Sequence, residues 1–188
     1  MKNINRLWML LMAFMVLGLG TSCASDEPVK TWIDLINEEW NNNSAGSSDA
    51  VMTGKVNLWE KGNIPTVTRN VNNSDGPDFI PNMEVFTVDE SVTPKGAVII
   101  CPGGAFAFRS MQNEGYDIAD MLVPMGYQCF IVNYRIQPYT MRESAIDLQR
   151  AIRYVKAHAD DYRIDADDVA LVGFLAGSSC LSCRAAQL

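Results

Sequence analysis

Apolar positions along the chain fall into separate runs whose spacing changes from one segment to the next. Met83 to Val88 alternates as an outer strand does, and Ala97 to Cys101 is an unbroken apolar run between Lys95-Gly96 and Pro102-Gly103-Gly104, as expected of a buried central strand. Ile118, Met121, Leu122 and Met125 then repeat at helical spacing, with Pro124 and Gly126 marking the end. Cys129 to Val132 is the next apolar strand. Past Pro138, Thr140 and Glu143 have the spacing of a capping box, and Met141, Ala145, Leu148, Ile152, Val155 and Ala159 recur in steps of three and four. One long helix with a single buried stripe is predicted. Val169 to Val172 is a third apolar strand, ending at Gly173. The succession strand, helix, strand, helix, strand predicts a parallel sheet built from right-handed crossovers, with any site at the strand ends.

The amino terminus follows a different logic. Lys2 and Arg6 precede an apolar run from Leu7 to Leu19, and Gly20, Thr21 and Ser22 lead into Cys23, the order of charged, apolar and small regions in an export signal. The run is too short to span a bilayer comfortably. Its ending resembles the lipobox of bacterial lipoproteins, apart from Gly20, where an aliphatic residue is usual. The resemblance implies that residues 1–22 are a lipoprotein signal peptide and that the Cys23 thiol is acylated; cleavage near Ala24 by ordinary signal peptidase is the alternative. The acidic Ser25-Asp26-Glu27 resembles the surface-export tags of some Gram-negative lipoproteins. Val29, Trp32, Ile33, Ile36 and Trp40 recur at helical spacing, and an Asn-, Ser- and Gly-rich stretch follows from Asn41 to Asp49. Residues 23–50 are therefore expected to be a lipid anchor and linker whose short amphipathic helix packs on the main domain or lies on the membrane surface. The main domain is expected over 51–188, and the location is the cell envelope, either a lipid-anchored outer-membrane site or the periplasm.

Composition narrows the classes further. The 188 residues are 48% hydrophobic with 13 Gly and 8 Pro, which excludes a disordered, collagenous or polytopic membrane chain. Formal charge is −7, and becomes −9 without Lys2 and Arg6, so no nucleic-acid partner is expected. Cys101 and Cys129 fall in apolar strands and read as buried thiols. Cys180 and Cys183 have a redox-like spacing, but zinc needs four ligands and His158 is the only histidine, so no metal or cofactor is predicted. His158 itself stands at the end of the long predicted helix, where a structural role fits the exposed carbonyls. Asp147, Asp165, Asp167 and Asp168 read as a solvated helix face and a loop, and the later Gly and Glu of a calcium loop are missing.

Three motifs stand where predicted strands end: Cys101-Pro102-Gly103-Gly104-Ala105-Phe106, Asn133-Tyr134-Arg135 and Gly173-Phe174-Leu175-Ala176-Gly177. In this order they resemble the α/β-hydrolase fold, in its esterase and lipase branch that includes acetyl-xylan-esterase-like enzymes. The match runs from about Val56 to Gly177. It implies a mostly parallel central sheet with flanking helices and an ester substrate, small or carried on a polysaccharide. Ester hydrolysis passes through a tetrahedral oxyanion, which needs N–H donors about 3 Å from the developing charge. The resemblance assigns that task to the amides of Gly104, Ala105 and Ala176, and a loop-supporting role to Asn133-Tyr134-Arg135.

The nucleophile elbow of this family is written G-x-S-x-G, and here Leu175 occupies the serine position. Leucine has no atom able to attack a carbonyl. Ser178 and Ser179 lack the flanking glycines. The acid and histidine of the family follow the nucleophile, but nothing after Gly177 is His, Asp or Glu. The tail from Ser178 to Leu188 also lacks the apolar stripe of a helix backing the elbow. These features predict a partial α/β-hydrolase whose carboxy-terminal half is missing, through a coding change near codon 175 and a shifted reading frame. Such a chain is expected to be inactive and to expose the edge of its last strand. A ligand-binding surface lipoprotein without catalysis, and a peptidase of the same fold, are the alternatives.

Overall fold

The β-branched and aromatic runs form the strands. In the computed structural model, residues 50–66, 68, 75 and 78–174 are described. They belong to one compact unit that starts at Ala50. Cys23, the predicted amphipathic helix, Leu175, Ala176, Cys180 and Cys183 lie outside the described residues.

Among the described residues five strands make one sheet: β1 (Gly54–Asn57), β2 (Asn82–Phe86), β3 (Gly96–Cys101), β4 (Tyr127–Asn133) and β5 (Val169–Gly173), in the spatial order β1-β2-β4-β3-β5. β3 pairs in parallel with β4 and with β5, whereas β2 runs antiparallel to both β4 and β1. The central strands β4, β3 and β5 are parallel, as the mostly parallel expectation has it, whereas the reading of β2 as the outer strand is corrected, since β1 lies beyond it. Beyond β2 lies β1, whose Gly-Lys-Val-Asn sequence alternates half-buried with exposed positions and carries one apolar side chain. So short an edge strand gives almost no hydrophobic signal.

The two crossovers leave β4 and β3 in opposite directions, and right-handedness puts their helices on opposite faces. On one face, helix α1 (Asp117–Leu122) is preceded by a π-helical turn, Gln112–Tyr116. Gly115 of that turn lies so close to Ile131 that an added Cβ would sit 3.2 Å from its side chain. On the other face, helix α2 (Met141–Ala157) buries Leu148, Ala151, Ile152 and Val155 against Met83, Val85, Ala97, Ile99, Phe130 and Val132. The predicted capping box closes the start of α2, with the Thr140 hydroxyl and the Glu143 carboxylate each meeting the other's backbone N–H.

β3 is buried along its whole length, because it has a strand on either side and a helix layer on either face. Its carboxyl end is the point where the strand order reverses, with β4 on one side and β5 on the other. Open α/β sheets place their sites at such a point.

Candidate active site

The pairing of β3 with β5 brings two of the sequence motifs together. Cys101 and Gly173 are register partners, and the Phe174 N–H donates to the Cys101 carbonyl at 3.2 Å. The chain then separates into the glycine loop after β3 and the segment after β5. They touch at once: a Cβ on Gly103 would stand 2.4 Å from the Phe174 carbonyl oxygen, so only glycine allows this approach.

The glycine loop turns sharply over the sheet edge. Ala105 (φ 52°) and Phe106 (φ 61°) are both left-handed, and Ala107 N–H donates to the Gly104 carbonyl at 3.0 Å. Two successive left-handed residues are the φ pattern of a type I′ turn, which Asn and Gly normally supply. Ala and Phe hold it here at a cost in backbone strain. Phe106 is kept in place because its ring packs on the core and its carbonyl accepts the Gln137 N–H at 2.9 Å. The strain thus has a cause in tertiary packing.

Polar atoms of the loop are divided in a particular way. The Gly103 carbonyl accepts Ser110 N–H at 2.8 Å, and the Pro102 carbonyl accepts the Tyr134 hydroxyl at 2.5 Å. The Gly103 N–H donates to Glu114 Oε2 at 2.7 Å. Among the described residues, the amides of Gly104 and Ala105 have no hydrogen-bond partner. Ala105 is exposed and Gly104 half-buried. The remaining two predicted members, Leu175 and Ala176, follow the last described residue.

Asn133-Tyr134-Arg135, at the end of β4, does three jobs. Asn133 Nδ2 donates to Asn82 Oδ1 and Glu84 Oε1, each at 3.2 Å. Glu84 also accepts the Tyr116 hydroxyl at 2.8 Å, and burial together with that carboxylate pushes the Tyr116 hydroxyl up to about 12. Tyr134 supports the glycine loop. Its carbonyl accepts Arg109 Nη1 at 2.8 Å, and Arg109 is ion-paired with Asp75.

Arg135 turns away from the site. Its side chain is 1% exposed, stacks over Tyr139 rather than Tyr134, and forms a bidentate pair with Asp147 (2.7 and 2.8 Å). This corrects the reading of Asp147 as part of a solvated helix face: it is fully buried. The helical stripe could not reveal this, because the partner that makes an inward carboxylate tolerable lies on a strand end twelve residues earlier. Burial pushes the Asp147 carboxyl up, and the hydrogen bonds from Arg135 and Trp59 pull against it. Asp165, Asp167 and Asp168 are exposed, as predicted.

His158 caps the carboxyl end of α2, with Nδ1 2.8 Å from the Tyr154 carbonyl and its ring stacked on Tyr154. Because α2 runs back along the sheet, that end lies beside the start of β5. Gly173 is at the opposite end of that strand, roughly 13 Å along it. The one histidine of the sequence is thus remote from the glycine loop. Cys101 and Cys129 are both buried, and desolvation raises the Cys129 thiol well above its ordinary range. Sequence reasoning missed Glu114, since a carboxylate in a polar stretch gives no signal of the amide it will meet.

The BD-FAE family profile matches residues 83–186. The chain is 36% identical over 86 residues to an acetylxylan esterase of Xylanibacter ruminicola, covering 45% of this chain and 18% of that protein. It is 34% identical over 85 residues to the "probable carboxylic ester hydrolase LipM" of Mycobacterium tuberculosis, covering 45% of this chain and 20% of that one. Among solved structures, an acetyl ester-xyloside bifunctional hydrolase from Caldicellulosiruptor lactoaceticus superposes with a TM-score of 0.60 at 28% identity, over 71% of this chain and 46% of that chain. The chain therefore spans about a fifth of the length of these curated relatives and just under half of the solved one.

Proposed function

This chain belongs to the BD-FAE family, within the α/β-hydrolase fold, and from that premise we propose that the edge formed by β3 and β5 is the oxyanion-binding part of a carboxylic-ester hydrolase site on an envelope lipoprotein. The observation that carries this reading is the pair of amides at Gly104 and Ala105, without a partner among the described residues, on a strained turn pressed against the end of β5. In it, Ala176 supplies the further donor. The acetylxylan esterase relative supports acetyl esters, small or on a polysaccharide, as the substrate class. The lipobox-like ending at Cys23 supports attachment to the envelope membrane.

In this reading the chain does not turn esters over. Leu175 stands where the attacking oxygen is required, and His158 is at the far end of the sheet. Leu175→Ser restores a hydroxyl but not a base. The full chain carrying that substitution is expected to show no hydrolysis of a chromogenic acetate ester above the parent chain. Hydrolysis that a serine-directed fluorophosphonate abolishes would overturn the inactivity.

Leu175 also favours a second reading, in which the amides hold an acyl ligand without chemistry. Calorimetry with acetylated oligosaccharides separates the two: binding heat supports a retained ligand site, and its absence supports the remnant of a hydrolase site.

A further inference from the structure

The peptide unit joining Pro102 and Gly103 is held at both of its polar atoms. Its carbonyl accepts the Tyr134 hydroxyl at 2.5 Å, and its N–H donates to Glu114 Oε2 at 2.7 Å. Tyr134 arrives from the end of β4 and Glu114 from the π-helical turn, so the two clamps come from opposite faces of the sheet. A peptide plane fixed at both ends cannot rotate, and its orientation sets where the next two amides point.

We propose that Glu114 is a positioning residue for the oxyanion-binding amides of Gly104 and Ala105. The inference deepens the ester-hydrolase reading and rests on it. Three features argue that the arrangement is built for this purpose. First, a π-turn costs good helical hydrogen-bond geometry, and this one occurs where Glu114 must reach back to the loop. Second, Gly115 lets the turn come close: an added Cβ would stand 3.2 Å from Ile131 and 3.6 Å from the Pro102 ring. Third, a carboxylate is a stronger acceptor than a neutral group, and it is placed on Gly103 N–H, the amide just before the two that have no partner among the described residues. By occupying Gly103 N–H, Glu114 commits that donor inward and leaves the next two for the ligand.

The experiment uses the isotope-labelled full chain, following the Gly103, Gly104 and Ala105 amides by NMR in Glu114→Ala and Glu114→Gln. In Glu114→Ala, the Gly103 amide loses its downfield position, and its hydrogen exchange accelerates about tenfold to hundredfold, the factor for losing a charged acceptor. The Gly104 and Ala105 resonances move with it. Glu114→Gln keeps an acceptor oxygen and restores the parent positions of Gly104 and Ala105, which a general loss of packing would not allow. Acetate, added as a carboxylate probe, shifts Gly104 and Ala105 in the parent and about tenfold more weakly in Glu114→Ala.

Acetate shifts of equal strength in the parent and Glu114→Ala overturn the proposal while leaving the oxyanion reading intact. Amides that respond to Glu114→Ala but never to acetate support the clamp and overturn the oxyanion reading. Should Glu114→Ala fail to fold, Glu114→Gln decides: parent-like Gly104 and Ala105 resonances support the proposal, and displaced ones overturn it.

Discussion

Replacing Asp147 with asparagine keeps the shape of the side chain and removes its charge. In the folded chain both oxygens are fully used: Oδ1 accepts Arg135 Nη2 at 2.7 Å and Trp59 Nε1 at 2.8 Å, while Oδ2 accepts Arg135 Nε at 2.8 Å and Arg135 N at 3.0 Å. An asparagine must present its amino group to one of these donor pairs, whichever way it turns. Two hydrogen bonds to a charged acceptor are lost, worth roughly 1.5–3 kcal/mol each. Arg135 meanwhile keeps a buried charge facing neutral acceptors, the asparagine oxygen and the Pro65 and Glu143 carbonyls (2.7 and 3.1 Å), with no carboxylate to balance it. Both routes converge on a loss of about 3–5 kcal/mol, the usual cost of breaking a buried pair from one side. Against a total of about 5–15 kcal/mol, that is enough to leave a large unfolded fraction in a weakly stable chain. The assay is a urea titration followed by circular dichroism, comparing midpoints at constant slope. The double substitution Arg135→Met with Asp147→Leu should cost less than Asp147→Asn alone, since no unpaired charge stays behind. A loss under about 1 kcal/mol for the single change, or a larger loss for the double one, would refute the view that the pair is held by mutual charge compensation. Lys61→Ala is the control: its 3.7 Å contact with Asp78 is largely solvated and should not be measurable.

Glu143 is the second buried carboxylate, and its titration has the opposite consequence. Burial opposes its ionisation, but hydrogen bonds from Thr66, Thr68 and Thr140 outweigh that and hold it far below the usual carboxylate range. A depressed folded pKa contributes stability above the unfolded value of about 4.3 and loses it as pH falls from there. Glu143→Gln is therefore expected to destabilise the chain at pH 7, with the gap to the parent narrowing below about pH 4 in parallel urea titrations; a pH-independent gap would count against this. Gly103→Ala places a Cβ against the Phe174 carbonyl and should cost about 1–3 kcal/mol by thermal melting, an overpacking penalty. A melting temperature matching the parent would mean that the glycine loop and the end of β5 are not in contact.

Legibility in the sequence followed the range of the interaction that decides each feature. The long helix and its capping box were readable because Thr140, Glu143 and the stripe from Leu148 to Val155 act within a few residues of one another. Strands β3 and β4 were readable because burial on both faces makes them continuously apolar. The antiparallel course of β2 was not, since its side-chain alternation is the same in either direction. Gly103 and Gly104 announced a tight turn, but the left-handed Ala105 and Phe106 depend on Phe106 reaching the core, which no local pattern encodes. Asp147 and Glu114 were misjudged or overlooked for one reason: the groups that make each carboxylate useful are brought in by the fold.

The place of β3 in the strand order has a consequence for how the chain is made. β4 can add to one side of β3 soon after both leave the ribosome, but the other side waits for β5. Gly173 is synthesised 72 residues after its register partner Cys101, a delay of about 4–14 s at ordinary elongation rates. Throughout that interval the most apolar strand of the sheet presents an open hydrogen-bonding edge to its surroundings. A nascent chain of this protein is thus most vulnerable to chaperone capture or mispairing between β4 and β5, and slow codons in α2 would lengthen the exposure.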